Sequence, residues 1–464
     1  MKTSCRFLLL ALLFAIVTSA CSSQQQEIIP EYDGLSVDSI DFNGRSFLVA
    51  QEENDYPGSI FYYPQDSLYY DLLTDHIKKI EQQYNMKLNF SMEFGREGTF
   101  SGMLMSAAMS GLNICDFVIM RGSNNNMKAA ESGTFYPLNY FPDIIDLKNS
   151  DKYGPMNILE CCMAKGNIYG VIPNYWPQKS NDGNMGLLVA INENLINRYG
   201  LDDPRDYYEQ NIWKLSKFDE IMPIYHIVDG ENDIKSVAIN TRYLCRGFLG
   251  SYIIGNVYEK DGQFYPADKN PDLLPALEWG LHFLSAYSDD YLVLEGWNYT
   301  PNLAAGECVM AFTESSYLLD MAKQLDNFGF VPFPAADKYD SKDVGLAFST
   351  FPTFSIFTGT DDPESCARVI DILFEELEGV TQDEMVDSLY KTLFFDERDA
   401  MIYTQLYKNA VYDYFGVGGN LQQKIETVYT SKTAQEVISS IEGTLDKMFE
   451  ERMLPNYMTM IEMQ

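Results

Sequence analysis

Apolar side chains recur along this chain with two different periods, and the switches between them lay out its elements. Phe47 to Ala50 is a short apolar run of the kind a buried strand shows. Leu68, Leu72, Leu73, Ile77, Ile80 and Tyr84 then return at helical spacing, with charged and amide residues between them. Met86 to Phe90 alternates as a strand, and Phe100 to Met109 suits a helix ended by Gly111. Phe117 to Met120 is a second short apolar run, entered through Asp116. The predicted order is β-α-β-α-β, which implies parallel pairing with right-handed crossovers. In open α/β sheets ligands sit beyond the carboxyl ends of the strands. Here those ends are Gln51 to Glu53 and Arg121 to Asn124.

Further along, Gly166 to Pro173 reads as a tight turn leading into a strand. A polar stretch from Gln178 to Gly186 is a candidate hinge, and Leu187 to Asn192 is the strand after it. Tyr207 to about Asp320 is mixed α/β and rich in aromatics. A strand pair near Phe328 to Phe333 and Leu346 to Phe357 is expected to mark a further crossing between lobes. A helix then starts at Asp362 as N-cap with Pro363 in its first position. Cys366, Ile370, Leu373 and Leu377 form its apolar face, and Gly379 is its expected stop. A last amphipathic helix carries Ala434, Val437, Ile438, Ile441, Leu445, Met448 and Phe449 on one face.

The N-terminus speaks of location. Lys2 and Arg6 precede an unbroken apolar run of eleven residues, Phe7 to Val17. That is too short to span a bilayer and fits the core of a signal peptide. The run ends at Thr18-Ser19-Ala20-Cys21, which looks like a bacterial lipobox with Cys21 as the lipid-modified first residue of the mature chain. Ser22 to Gln26 is polar, as a tether would be. Residues 1–20 are therefore expected to be a signal peptide and 21–40 a lipid-anchored tether. No other segment reaches the roughly 18 apolar residues a membrane helix needs.

Composition narrows the function. With 464 residues, 46% of them hydrophobic and 14% aromatic, the chain has enough for at least two buried cores. Its net charge of −34 repels nucleic-acid phosphate and anionic membrane surfaces alike. Three histidines in distant segments, His76, His226 and His282, argue against a zinc enzyme. Past Cys5 and Cys21, the cysteines are Cys115, Cys161, Cys162, Cys245, Cys308 and Cys366, with no CxxC spacing, and mostly free thiols are expected. No GxSxG, HExxH or GxxxxGK[ST] signature is present, and no cofactor or metal is expected.

Several short motifs in a fixed order carry a resemblance. They are Asn113-Ile114-Cys115-Asp116-Phe117-Val118-Ile119, Gly133-Thr134-Phe135-Tyr136-Pro137-Leu138, Gly166 to Pro173, and Ala190 to Leu195 followed by Tyr199-Gly200-Leu201. Leu303 to Phe312 and Phe328 to Pro334 continue the series. Together with the Leu68–Phe90 helix and strand, they resemble the extracellular solute-binding proteins, family 1, of bacterial ABC importers, the maltose-binding-protein-like group. The likeness runs from about Asn43 to Met453. It implies an α/β, two-lobed periplasmic-binding-protein-like fold (type II) with the ligand cleft between the lobes. The expected division is 41–178 for lobe 1, 187–345 for lobe 2, 351–400 as the return to lobe 1, and 401–464 with lobe 2, with a third crossing near 385–410.

The resemblance also implies a function: a lipid-anchored, non-enzymatic protein outside the cytoplasmic membrane that captures a small solute and delivers it to permease subunits. It is expected to be a monomer with no nucleic-acid partner. Candidate ligand-binding residues are Tyr175 and Trp176 after the Gly166–Pro173 segment, and Met120, Arg121, Ser123 and Asn124 after the third strand. Glu314 and Tyr317 stand where the family's "G-P-W" is replaced, and Trp297 sits in a polar setting. Aromatic faces suit the apolar side of a sugar ring. Glu52 and Glu53 read as a solvated acidic rim, Asp116 as a structural cap, and His282 as a surface residue. The acid excess favours a neutral ligand, an oligosaccharide ahead of a peptide. The competing classes are a secreted glycoside hydrolase, which needs two carboxylates at a set separation, and a surface glycan-binding lipoprotein.

Overall fold

The computed structural model describes residues 40–52, 61, 68–95, 97–122, 124–176, 187–255, 257–287, 291–293, 296, 298–345, 347–348, 351–380, 394–409, 411–412 and 432–463. The leader, Cys21 and the tether lie outside them, as do the polar stretch 178–186 and part of the crossing at 345–351. Among the described residues no helix is long and apolar enough to cross a membrane.

The alternating runs at the start of the chain form the first sheet. Strand β1 (Arg45–Gln51), the helix Leu68–Gln83, β2 (Met86–Ser91), the helix Glu97–Met109 and β3 (Phe117–Gly122) follow in the expected order. Both β2 and β3 pair with β1 in parallel. Asp116 fixes the register. Its carboxylate accepts from Leu48 N (2.9 Å) and Thr360 Oγ1 (2.8 Å), and Arg45 Nη2 lies 2.8 Å away. The structural reading of Asp116 thus stands.

The second sheet is built from β4 (Leu187–Asn192), β5 (Asn232–Ala238), β6 (Leu292–Val293), β7 (Cys308–Glu314) and β8 (Phe328–Val331). Its order is β6-β5-β7-β4-β8, with β5, β6 and β7 parallel and β4 antiparallel to both its neighbours. Every residue of β4, β7 and β8 is buried, as strands covered on both faces must be. The chain then returns to the first sheet as β9 (Phe351–Ile356), antiparallel to β3. The two segments expected as a strand pair near 328–333 and 346–357 therefore belong to different sheets.

The helix after Asp362 starts as expected, with the Asp362 side chain accepting from Ser365 N at 3.0 Å. It stops at Leu373, well before Gly379. Side chains from elsewhere take the carbonyls that end it: His76 Nε2 lies 2.9 Å from Leu373 O, and Trp176 Nε1 donates to Glu375 O at 2.9 Å. The six cysteines Cys115, Cys161, Cys162, Cys245, Cys308 and Cys366 are free and buried. Burial drives the Cys115, Cys308 and Cys366 thiols well above their ordinary value, so they stay protonated.

One buried charge network holds the second lobe's helices to β8. The Arg205 side chain is only 3% exposed and meets Asp203 (2.7 Å), Glu193 (2.7 Å) and Asp399 (2.9 Å). Asp399 comes from the helix Glu397–Lys408 and also accepts from Phe330 N at 3.2 Å. Burial outweighs the attraction of Arg205 and pushes the Asp399 carboxyl up to about 7 from 3.8. The folded state then holds this proton more tightly than the unfolded chain. The contribution of Asp399 to stability is fullest below pH about 4 and is lost as the pH rises to about 7. Relative to the native chain, Asp399→Asn is expected to gain stability as the pH is raised from about 5 to about 8. Urea unfolding across that range reads the slope, and a difference independent of pH would refute the assignment.

Candidate functional site

The strand directions locate the cleft. In the first sheet β1, β2 and β3 end at Gln51, Ser91 and Gly122, and β9 enters at Phe351 opposite Gly122. In the second sheet β5, β6 and β7 end at Ala238, Val293 and Glu314, and β4 enters at Leu187 opposite Glu314. Leu187 and Phe351 are the first residues of strands that follow the expected lobe crossings. Both strands therefore enter at carboxyl edges, the edges at which open α/β sheets place ligands.

On the second wall, sequence and fold build a compact polar cluster. Asn240 ends the β5 run as the N-cap of the helix Thr241–Ser251; its Oδ1 accepts from Tyr243 N at 2.7 Å and its Nδ2 donates to Gly296 O at 3.1 Å. This capping starts a helix at the strand end and sets Tyr243 and Arg246 one turn apart. Arg246 Nη1 meets Glu314 Oε1 at 2.8 Å, with side-chain exposures of 0% and 8%. Tyr317, half-buried, closes the single turn Ser315–Tyr317 that follows β7. Burial first, then the charge of Glu314, raises the Tyr243 hydroxyl far above its ordinary value, with Arg246 and Arg242 opposing. Tyr243 is thus a neutral donor at neutral pH. Glu314, Arg246, Tyr243 and Tyr317 form one electrostatic neighbourhood at the strand end; Glu314, Arg246 and Tyr243 are buried and hold the wall together, and Tyr317 is half-buried.

The first wall differs from expectation in three places. Trp176 is 3% exposed, ringed by Phe61 (5.5 Å), Phe374 (5.7 Å) and His76 (6.0 Å), with its indole N–H bonded to Glu375 O. Its expected role as a stacking face is corrected: the ring fills the core beneath the crossing. Met120 is 1% exposed and packs in a core with Phe100 and Leu104, so its side chain is structural too. Glu52, expected on a solvated rim, is buried at the end of β1. Tyr175 is half-buried in the turn just before the first crossing. Arg121 and Asn124 hold the expected strand-end backbone positions, Arg121 opposite Pro352, while their side chains lie outside the description. Ser123, Trp297 and Glu53 lie outside the described residues altogether. His282 is exposed, as read from the sequence.

Sequence reading did not single out Arg246, Tyr243 or Asn240, which build this wall. The available signal was an Asn directly after the Val237–Ile239 run, with Arg242 and Arg246 four apart on one helix face. A cavity of about 560 Å³ lies elsewhere, along the flank of the first lobe between the helices Leu68–Gln83 and Pro363–Leu373, lined by Asp75, His76, Lys79 and Asp371 among others. Among the described residues no group of three His, Cys, Asp or Glu is placed to hold a metal ion.

No family model matches the sequence, and no curated protein matches it. Solved structures do match the fold. A sugar transporter protein from Rhizobium etli in an open conformation aligns with a TM-score of 0.61 at 13% identity, covering 86% of this chain and 98% of that one. The GacH receptor of Streptomyces glaucescens, solved free and with acarbose, aligns at 0.56 and 13% identity over 88% and 99%. UgpB from Mycobacterium tuberculosis, in complex with glycerophosphocholine, aligns at 0.55 and 15% identity over 87% and 98%. The architecture is the two-lobed periplasmic-binding-protein fold.

Breaking the Arg246–Glu314 pair from one side leaves a charge stranded in the wall. Arg246→Met alone is expected to cost about 3–5 kcal/mol. Adding Glu314→Leu should recover most of that loss, because the second charge then leaves the interior as well. Urea unfolding of the single and double variants measures both; a double variant no more stable than the single one would contradict the pairing.

Proposed function

We propose that this protein is a lipid-anchored, extracellular solute-binding protein of an ABC importer, which captures a small neutral organic ligand, a carbohydrate ahead of a peptide, and hands it to a membrane permease. The observation that supports this most is the two-lobed fold with a strand entering each sheet at its carboxyl edge, an arrangement in which a solute would be enclosed between the lobes. Binding then biases an open–closed equilibrium, and no bond need be made or broken. Of the solved proteins named above, one is called a sugar transporter and one a receptor, and two were solved with bound small molecules. The glycoside hydrolase reading needs two carboxylates at a set separation on the substrate, and consumption of the sugar in the test below would favour it.

The anchor belongs to the same proposal. With Cys21→Ser, the protein is expected to stay unprocessed at its leader or to leave the membrane fraction. Unchanged mass and retention would sink the lipoprotein reading.

Ligand class is read by thermal shift of the purified protein against neutral oligosaccharides such as maltotetraose, their phosphorylated or carboxylated counterparts, and short peptides. A neutral oligosaccharide is expected to raise the melting temperature by mass action, by about 2.7 kcal/mol of stabilisation at a hundred times its Kd, and to be recovered unchanged. Tyr317→Ala should weaken that ligand several-fold to about tenfold, the loss of one aromatic contact, while leaving the fold intact. Preference for the anionic counterpart, or consumption of the sugar, would count against the proposal.

A further inference from the structure

The C-terminal chain passes from one lobe to the other along two helices joined by a turn of different pitch. The helix Ala434–Met448 opens with a capping box between Thr433 and Glu436 and buries Ala434, Val437, Ile441, Leu445 and Met448. Its neighbours are the helix Leu273–Ala286 and the turn Ala267–Lys269, both of the second lobe, and Lys269 Nζ lies 2.5 Å from Glu442.

The final helix, Leu454–Met463, makes its hydrogen bonds to the first lobe, although 401–464 was expected to lie with the second. Asn456 is fully buried; its Oδ1 accepts from Gly166 N at 3.0 Å and its Nδ2 donates to Met163 O at 3.3 Å. Thr459 Oγ1 donates to Gly166 O at 2.8 Å. Gly166 sits in the turn of the Met163–Ala164 and Asn167–Ile168 hairpin with φ +77°, and a Cβ there would lie 3.2 Å from Pro455 O. Glycine is what lets the helix come this close. Arg452 adds an ion pair to Glu131, at 2.9 Å. On its other side the same helix touches the hairpin Val257–Pro266, with the Tyr457 and Phe264 rings 5.3 Å apart.

Between the two anchored helices, Phe449–Met453 is a π-helical turn. A π turn holds one residue more than the α-helical turn it replaces. Releasing that residue changes the rotation of everything beyond it by a discrete step, and such turns interrupt helices where bending is needed.

We propose that the C-terminal helix pair is a strap across the seam between the lobes, with the turn Phe449–Met453 as its flexing point. Docking of Leu454–Met463 on the Met163–Ile168 hairpin sets the balance between open and closed cleft. A rigid-body rotation of one lobe cannot leave both anchors and the joint unchanged. The anchor bonds therefore contribute differently to the two states, and each one removed shifts their ratio by about 2- to 10-fold. The inference rests on the two-lobed fold alone and needs no ligand.

The test measures inter-lobe distance directly. Nitroxide labels on Lys79→Cys and Glu231→Cys, exposed positions on the first and second lobes, report the distance distribution by pulsed electron resonance. The full chain carries Cys5→Ser and Cys21→Ser, and the remaining native thiols are buried. Thr459→Val removes one anchor bond without changing shape, Glu131→Ala removes the ion pair, and Asn456→Ala removes the buried amide. Thr459→Val and Glu131→Ala are expected to shift the distribution in the same direction, at unchanged helical content. They decide the question even where Asn456→Ala fails to fold. An unchanged distribution in both overturns the strap, and so does a lowered melting temperature with no change in distance, which would make the last helix a mere structural brace.

Discussion

How the two sheets meet depends on six residues, Phe351–Ile356. They run antiparallel to β3, with Phe351 opposite Gly122 and Ile356 opposite Phe117. That direction makes the chain arrive at the carboxyl edge of the first sheet, where β1, β2 and β3 end. The strand is held on every side. Phe354 stacks on Phe117 at 4.8 Å, its backbone bridges Val171, and Ile356 O accepts from Tyr136 N. A one-residue slip would turn Phe354 to the opposite face and undo the stack. The mirrored entry of β4 at Leu187 does the same for the second sheet, and the crevice follows from the two together.

The buried charges show how a strongly acidic chain keeps its interior ordered. Arg205, Arg246 and Arg45 each face carboxylates contributed by distant segments. A guanidinium serves well here because it keeps its charge and offers several donors in one plane. Such pairs add little net stability against an apolar alternative, but a wrong partner strands a charge in the interior. Their role is to set which segments meet. Arg205 ties the helix Glu397–Lys408 to the second lobe, and Arg45 ties β1 to the start of the helix Pro363–Leu373.

The wall at the end of β7 was only partly legible in advance. Glu314 and Tyr317 were singled out because they stand where the resembled family's "G-P-W" is replaced, and the structure puts them at the end of β7 and in the turn after it. Arg246 escaped notice because its partner lies 68 positions away. Trp176 misled for the opposite reason. A tryptophan beside a lobe boundary looks available for a ligand, yet packing on Phe61, His76 and Phe374 and a hydrogen bond to Glu375 O, 199 positions away, commit its ring to the core.

The sequence by itself determined the β-α-β-α-β opening, the strand Leu187–Asn192, the Asp362 cap and the last amphipathic run from Ala434 to Phe449. Each of these rests on spacing or capping within a few residues, where period and side-chain chemistry act locally. It also indicated Asp116 as a cap, since an acid at the head of an apolar strand has few other uses. Tertiary structure alone decided what depends on distant neighbours. It ended the helix at Leu373 in place of Gly379, where His76 and Trp176 meet the carbonyls of Leu373 and Glu375. It buried Met120 and Trp176, which a local pattern cannot distinguish from lining residues. It also docked the final helix on the hairpin at Gly166. No spacing within Leu454–Met463 specifies that partner, because the bonds of Asn456 and Thr459 close only when segments nearly 300 positions apart are brought together by the fold.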